Sequence, residues 1–188
     1  TVAIAARDPQ SKSIAQAIDR NPNLVIRSPL AAVNAAEVVF LALPFSAVAT
    51  ALLEVKDALK GKVVVDCTNP VGANVSHGLE SKISGGETVQ QIIPQAYVVK
   101  AFTIYGFENL EDSSYPGYNQ IQPVMTIAGN DVAAKEIVSN LCRQLGSEPL
   151  DTGDISMSLH LEHLTLLWVK MARMQGQGAN FVWARLTR

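Results

Sequence analysis

The sequence predicts an α/β chain built on a doubly wound parallel sheet, and three observations carry the prediction. Val63-Val64-Val65 puts three β-branched residues in a row, preceded by Gly61 and stopped by the polar turn Asp66-Cys67-Thr68-Asn69-Pro70-Val71-Gly72. A strand without polar alternation is one buried on both faces, as in the middle of a parallel sheet. Short apolar strands alternate with helical stretches along most of the chain, the pattern of repeated βαβ units. Finally, 48% hydrophobic against 17% charged residues over 188 positions supplies an ample core.

Taken in order, Thr1 to Ala6 reads as a strand closed by Arg7-Asp8-Pro9, with Asp8 the expected N-cap and Pro9 the first residue of a helix through Ile14, Ala17 and Ile18. Leu24-Val25-Ile26 is a short strand, Pro29 to Ala36 a short helix and Val38 to Leu43 the next strand. Pro44 opens a helix to Leu59 with Ala47, Ala51 and Val55 on one face. After the Val63 strand, Thr68 to Gly86 shows neither helical nor strand periodicity, and loops of this length in compact domains are often functional. A helix from Glu87 to Ile93, a strand from Ala96 to Phe102, a polar loop from Glu111 to Gln120 and a strand from Val124 to Ala128 come next. Asp131 to Leu145 is a helix capped by Asn130 or Asp131, and Glu148 to Leu150 a last strand. From Ile155 to Leu186 the composition is helical. There Leu161, Leu164, Trp168 and Met171, flanked by Leu167 and Met174, make an apolar stripe wider than one packing surface requires. Burial against its own domain and a second subunit is expected, hence a homodimer.

Composition excludes several classes. A net charge of -2 and a pI near 5.9 give no electrostatic case for nucleic acid. Cys67 and Cys142 make neither a disulfide framework nor a zinc site, so free thiols in the cytoplasm are expected. The uncharged run from Val38 to Leu53 is divided by Pro44 into a strand and a helix, so no membrane span is expected. His77, His160 and His163 lack metal-ligand spacing and read as surface or hydrogen-bonded histidines, and no metal site is expected. Asp66, without a second carboxylate nearby in sequence, reads as a hydrogen-bonding residue rather than a general acid, and no catalytic side chain is assigned.

In the strand order 3-2-1-4-5-6 of the Rossmann-type fold, the strand between those at Thr1 and Val38 precedes both in sequence. The expectation is therefore that the natural chain carries roughly 20 to 30 residues ahead of Thr1, a first strand and a Gly-rich loop missing from these residues. The alternative is a sheet of another order. G-x-G-x-x-G is absent, and Gly176-Gln177-Gly178 comes after a helix where the fingerprint must open one. Arg7 stands at the strand end where a site for NAD carries a carboxylate and a site for NADP a cation for the 2′-phosphate, with Lys12 nearby. Arg7 is otherwise a solvated surface residue; the fold context favours NADP. At the next strand end Pro44 turns the backbone and Phe45 either shields a ring or joins the core. Asp66 to Pro70 offers small polar donors, or simply a turn.

The series Ala6-Arg7-Asp8-Pro9, Leu41-Ala42-Leu43-Pro44-Phe45, Asp66-Cys67-Thr68-Asn69-Pro70, Val99-Lys100-Ala101-Phe102 and Leu161-Glu162-His163-Leu164-Thr165-Leu166-Leu167-Trp168 resembles the NADPH-dependent coenzyme F-420 reductase (F-420:NADP oxidoreductase) family. It is also similar to the cytosolic reductase domain of the six-transmembrane metalloreductases. The resemblance implies a dinucleotide-binding Rossmann domain over residues 1–152 and a C-terminal helical segment over 153–188 that supplies the acceptor site and dimer contact. Arg7 matches the arginine that holds the 2′-phosphate, with Ala6 where Ser or Thr is usual and the family's lysine near Ser11 or Lys12. Leu43, Pro44 and Phe45, then Thr68, Asn69 and Pro70, match the segments along the dinucleotide, and Ala101 and Phe102 the nicotinamide end. Thr103 and Tyr105 fall at the acceptor; Thr103 stands where archaeal members have His and many bacterial relatives Asn, and Tyr105 where a small aliphatic residue is common. The implied activity is hydride transfer between NADPH and a small-molecule redox acceptor, coenzyme F-420 or a flavin. Alternatives are a soluble flavin or ferric reductase and a non-catalytic NADPH-binding sensor.

Overall fold

A computed structural model describes residues 1–118 and 121–188. The strands are β1 (Ala3–Ala5), β2 (Val25–Arg27), β3 (Val38–Leu41), β4 (Val63–Asp66), β5 (Tyr97–Lys100), β6 (Val124–Gly129) and β7 (Glu148–Asp151). The helices are α1 (Lys12–Arg20), α2 (Pro29–Ala35), α3 (Phe45–Val55), α4 (Gly85–Ile92), α5 (Glu108–Glu111), α6 (Val132–Gln144) and α7 (Ser158–Val169), the last extended by a π-helical turn over Lys170–Met174. The α/β class and Rossmann-type arrangement expected from the alternation are what the chain adopts.

The five-stranded sheet has the order β3-β4-β5-β6-β7, while β1 and β2 pair in parallel as a separate two-stranded sheet. β3, β4 and β5 run parallel, β6 runs antiparallel to β5, and β7 is parallel to β6. The sheet is thus mixed at one end where strand alternation alone predicts it parallel throughout. The cause is the connection from β5 to β6: among its described residues the one α-helix, α5, has four residues, too short a crossover to return the chain to the opposite end of the sheet. Both ends of that connection consequently lie at the edge where β3, β4 and β5 finish.

Val63, Val64 and Val65 are buried, and their alternation sends them to opposite faces. Val63 and Val65 join Val99, Met125 and Ile127 under Val138 and Cys142 of α6 and Leu161 and Trp168 of α7. Val64 joins Val98 under Val48 and Leu52 of α3 and Val89 of α4. Helices therefore cover both faces, and each buried valine contributes about 1.5–3 kcal/mol relative to exposure.

Several boundaries differ from the expectations. α1 starts at Lys12, not Pro9, because the Asp8 carboxylate accepts from the Gln10 N–H and closes a turn instead of capping a helix. α3 buries Val48, Leu52 and Val55, leaving Ala47 and Ala51 on the shoulder. The loop expected over Glu111–Gln120 contains the end of α5 and a 3-10 turn at Pro116–Tyr118; Asn119 and Gln120 lie outside the described residues. The helix expected to Leu186 ends at Met174, because Gly176 (φ 71°) and Gly178 (φ 78°) adopt left-handed conformations that turn the chain out.

Beyond these glycines the chain runs as an extended strap. The Ala179 carbonyl accepts from Asn109 Nδ2 (2.9 Å), that of Phe181 from Trp168 Nε1 (2.9 Å) and that of Trp183 from the Val124 N–H (2.8 Å). The strap lays the Phe181 ring against Trp168 of α7, with ring centroids 5.4 Å apart. Leu167 (48%) and Met174 (61%) remain exposed.

Candidate functional site

Because β3, β4 and β5 are parallel, the segments at their C-terminal ends, Leu43-Pro44-Phe45, Thr68-Asn69-Pro70 and Ala101-Phe102-Thr103, share one edge of the sheet. The Phe45 ring, the Pro70 ring and the Glu162 carboxylate converge on the Cα of Gly85: a Cβ placed there would come within 2.9, 3.1 and 3.0 Å of them. Only glycine leaves room for that approach. Leu43 and Pro44 are exposed beside it.

Thr68 is buried and held at three points: its N–H (3.0 Å) and Oγ1 (2.7 Å) donate to Asp66 Oδ1, and its carbonyl accepts from Lys100 Nζ (2.5 Å). The Asn69 carbonyl accepts from the Val71 N–H and that of Pro70 from the Gly78 N–H, which folds the next residues into a tight loop. Asn69 Oδ1 and Thr103 Oγ1 are buried without a hydrogen-bond partner. A buried polar atom without a partner calls for an explanation, and a bound polar group is one. Ala101 is buried, its N–H on the Asp66 carbonyl. Phe102 has φ 57°, rare for an aromatic residue; its N–H meets Met125 Sδ and its ring lies 5.8 Å from that of Phe40. The Thr103 carbonyl accepts from Thr165 Oγ1 (2.8 Å), tying the end of β5 to α7. Tyr105 is packed in the core with its hydroxyl on the Val124 carbonyl, and burial pushes that hydroxyl up to about 12.

Beneath these loops lies a sealed charged network. The Lys100 ammonium spends its three protons on Asp66 Oδ2 (3.0 Å), Glu162 Oε1 (2.8 Å) and the Thr68 carbonyl. Glu162 also accepts from the N–H groups of Gly85 (3.0 Å) and Gly86 (3.1 Å) in the first turn of α4, and from His77 Nε2 (2.8 Å). His77 Nδ1 accepts from the N–H groups of Leu79 and Ser81, so the proton facing Glu162 is assigned to Nε2. Burial alone would lower Lys100, but the two carboxylates outweigh it and hold the ammonium above its ordinary range. Burial likewise opposes ionisation of Glu162, and Lys100 with the hydrogen bonds holds the carboxyl below its ordinary range. Ser84 caps α4 with a reciprocal box to Glu87, so Glu162 takes the first-turn donors that the cap leaves.

Arg7, Ser11 and Lys12 sit apart from this edge, after β1 in the two-stranded sheet. All three lie at or near the surface, with Arg7 Nε 4.0 Å from Glu54 Oε2 and Ser11 at the N-cap of α1. Sequence reasoning assigned no role to Lys100 or Glu162 and did not join them to Asp66 and His77. The signal was present: Lys100 is the one charge in an apolar strand and Glu162 sits inside an apolar helix, and a buried charge demands a partner. Cys67 is pushed up to about 12 by burial and by Asp66, which leaves it a thiol at neutral pH. Among the described residues no cluster of His, Cys, Asp or Glu suits a metal ion, and no helix is long and apolar enough to cross a membrane.

The family model for coenzyme F420-dependent NADP oxidoreductases matches residues 1–70. The metalloreductase STEAP3 of Rattus norvegicus is 31% identical over 135 residues, covering 72% of this chain and 26% of its own length. The F420-dependent NADP reductase of Methanocaldococcus jannaschii is 29% identical over 139 residues, 71% of this chain and 60% of its own. The chain thus spans under two thirds of the length of either relative. A crystal structure of a protein assigned as an F420-dependent NADP-reductase, from Arthrobacter sp. FB24, superposes with TM-score 0.85 at 27% identity, covering all of this chain and 88% of that one. In the sequence matched over residues 1–70 and in fold, the chain is similar to the coenzyme F420-dependent NADP oxidoreductases.

Proposed function

We propose that this protein is an NADP-dependent oxidoreductase that transfers a hydride between NADPH and a deazaflavin such as coenzyme F420, or a flavin-like acceptor. The observation that carries the reading is the shared edge of β3, β4 and β5, where Asn69 Oδ1 and Thr103 Oγ1 are buried and unpartnered among the described residues. Polar atoms without partners in an apolar setting suit a ligand that is mostly flat ring with a few polar groups. Leu43, Pro44, Phe45, Thr68, Asn69, Pro70, Ala101 and Phe102 would hold the dinucleotide, Arg7 with Ser11 and Lys12 its 2′-phosphate, and Thr103 and Tyr105 would stand at the acceptor. Bound NADPH supplies the hydride.

The chain's own contribution is positioning and exclusion of water. Hydride transfer needs donor and acceptor about 3 to 3.5 Å apart in a dry slot, with little side-chain acid or base. That fits a site where Cys67 and Tyr105 are both pushed out of the neutral range and the charged groups are sealed beneath the loops. The resemblance to the metalloreductase favours a second reading, a flavin or ferric reductase.

The deciding assay monitors NADPH absorbance on adding a deazaflavin, FMN or a ferric chelate. Oxidation fastest with deazaflavin supports the first reading; FMN or ferric chelate as the better acceptor supports the second. NADPH binding without turnover on any of the three overturns both and leaves a sensor. Free thiols at Cys67 and Cys142 support a cytoplasmic setting, and exposed Leu167 and Met174 support residues 153–188 as a homodimer contact. A clean monomer by sedimentation at micromolar concentration refutes the dimer.

A further inference from the structure

We propose that Lys100 is a positioning residue: it fixes the peptide plane between Thr68 and Asn69 so that the Asn69 N–H faces the dinucleotide slot as a preset donor. The inference rests on the NADPH-binding reading and goes beyond it by naming what orients the loop and what chemistry the loop accepts.

Thr68 is pinned at three points. It gives its N–H and hydroxyl to Asp66, and its carbonyl takes a proton of the Lys100 ammonium. The chain has no cis peptide among its described residues, so the Asn69 N–H points opposite to the Thr68 carbonyl across the same plane. With the carbonyl turned inward to Lys100, the N–H is turned away from it. Among the described residues nothing accepts from that N–H, and on the same residue Oδ1 is buried and without a partner.

Asn69 therefore presents one donor and one acceptor together. A group that both accepts and donates, a ribose hydroxyl or a carboxamide, satisfies the pair. A phosphate, which only accepts, leaves Oδ1 facing another oxygen. Both halves of the cofactor carry such groups, and it is the place of Asn69 after β4, beside the end of β5 and in a different sheet from the β1 strand that precedes Arg7, that assigns it to the nicotinamide riboside half. Lys100 reaches no ligand itself; its other two bonds, to Asp66 and Glu162, leave the ammonium no freedom to release the carbonyl.

The test reads backbone amide resonances of the whole protein during titration with NADPH, with 2′-phospho-ADP-ribose, which lacks the carboxamide, and with adenosine 2′,5′-bisphosphate, which lacks the riboside. The Asn69 amide is expected to shift and gain exchange protection with NADPH and to stay put with the bisphosphate. A shift with 2′-phospho-ADP-ribose identifies the ribose, and its absence there the carboxamide. In Lys100→Met the NADPH dissociation constant is expected to rise roughly 2- to 12-fold, the loss of one net hydrogen bond, while that of the bisphosphate holds. A merely structural defect weakens both ligands together, and that result overturns the proposal. So does an Asn69 amide that stays still while those of Arg7 and Ala101 move. If no resonance moves with NADPH, the cofactor reading has failed instead. Should Lys100→Met not fold, the wild-type titration decides alone, since a peptide plane turned the other way leaves the Asn69 amide unperturbed.

Discussion

Arg7 and Glu162 show how differently two charges act within one chain. Arg7 lies in solvent with Glu54 as a distant neighbour at 4.0 Å, so its guanidinium is free to take two oxygens of a 2′-phosphate. A charge-assisted pair of that kind contributes about 1.5–3 kcal/mol. With Ala6 contributing no hydroxyl, Arg7→Ala is expected to cut the preference for NADPH over NADH by roughly 10- to 50-fold, read as the ratio of dissociation constants. A ratio unchanged by the substitution removes Arg7 from the cofactor site. Glu162 is fully enclosed and makes four bonds, to Lys100, His77 and the amides of Gly85 and Gly86. Glu162→Ala strands a buried ammonium with one carboxylate and is expected to cost about 3–5 kcal/mol in urea unfolding. A loss below about 1 kcal/mol, the level of an exposed pair, contradicts the network.

Elements were more legible in the sequence than the contacts between them. Val63-Val64-Val65 announced its own burial because no polar residue interrupts it, and the Asp131 cap was legible because its carboxylate accepts from Ala134 three residues on. The direction of β6 was not legible, since Val124 to Ala128 has the same apolar pattern whichever way it runs, and direction is set by a connection of low periodicity. The close crossing of α4 and α7 was hidden too: Gly85-Gly86 reads as a loop end, whereas a Cβ on Gly86 would meet Ser158 Oγ at 2.3 Å and Ser158 Cβ at 2.7 Å. Gly86→Ala must push the two helices apart, at about 1–3 kcal/mol by analogy with overpacked cores. Adding Ser158→Ala is not expected to rescue it, because the Cβ remains; Ser158→Gly is. Rescue by Ser158→Ala in a thermal melt contradicts the crossing.

For the molecule as a whole, the buried network sets the pH range of stability. Glu162 is held below its ordinary value of 4.5, so its contribution is complete above that value and drains as pH falls through the lower folded one. Lys100 is held above 10.5, so its contribution is complete below 10.5 and drains as pH rises through the higher folded one. Melting temperature against pH is expected to show a plateau between about 5 and 10, with a shallower acid limb in Glu162→Gln. Superimposable acid limbs count against the assignment. The candidate site was legible as strand ends, because parallel strands finish on one side whatever their sequence. The network under it was not, because Lys100 and Glu162 are 62 residues apart in numbering and meet only through the fold.

Sealing has a consequence for ionic strength. Mobile ions cannot enter the space between Lys100, Asp66 and Glu162, whereas the field around Arg7 decays over about 8 Å in physiological salt. On the proposed assignment, added salt should therefore loosen the hold of Arg7 on a 2′-phosphate and leave the Asn69 loop as it was. Were Arg7 the 2′-phosphate site, discrimination between NADPH and NADH would depend on the medium as much as on the protein, while the loop geometry held by Lys100 would not.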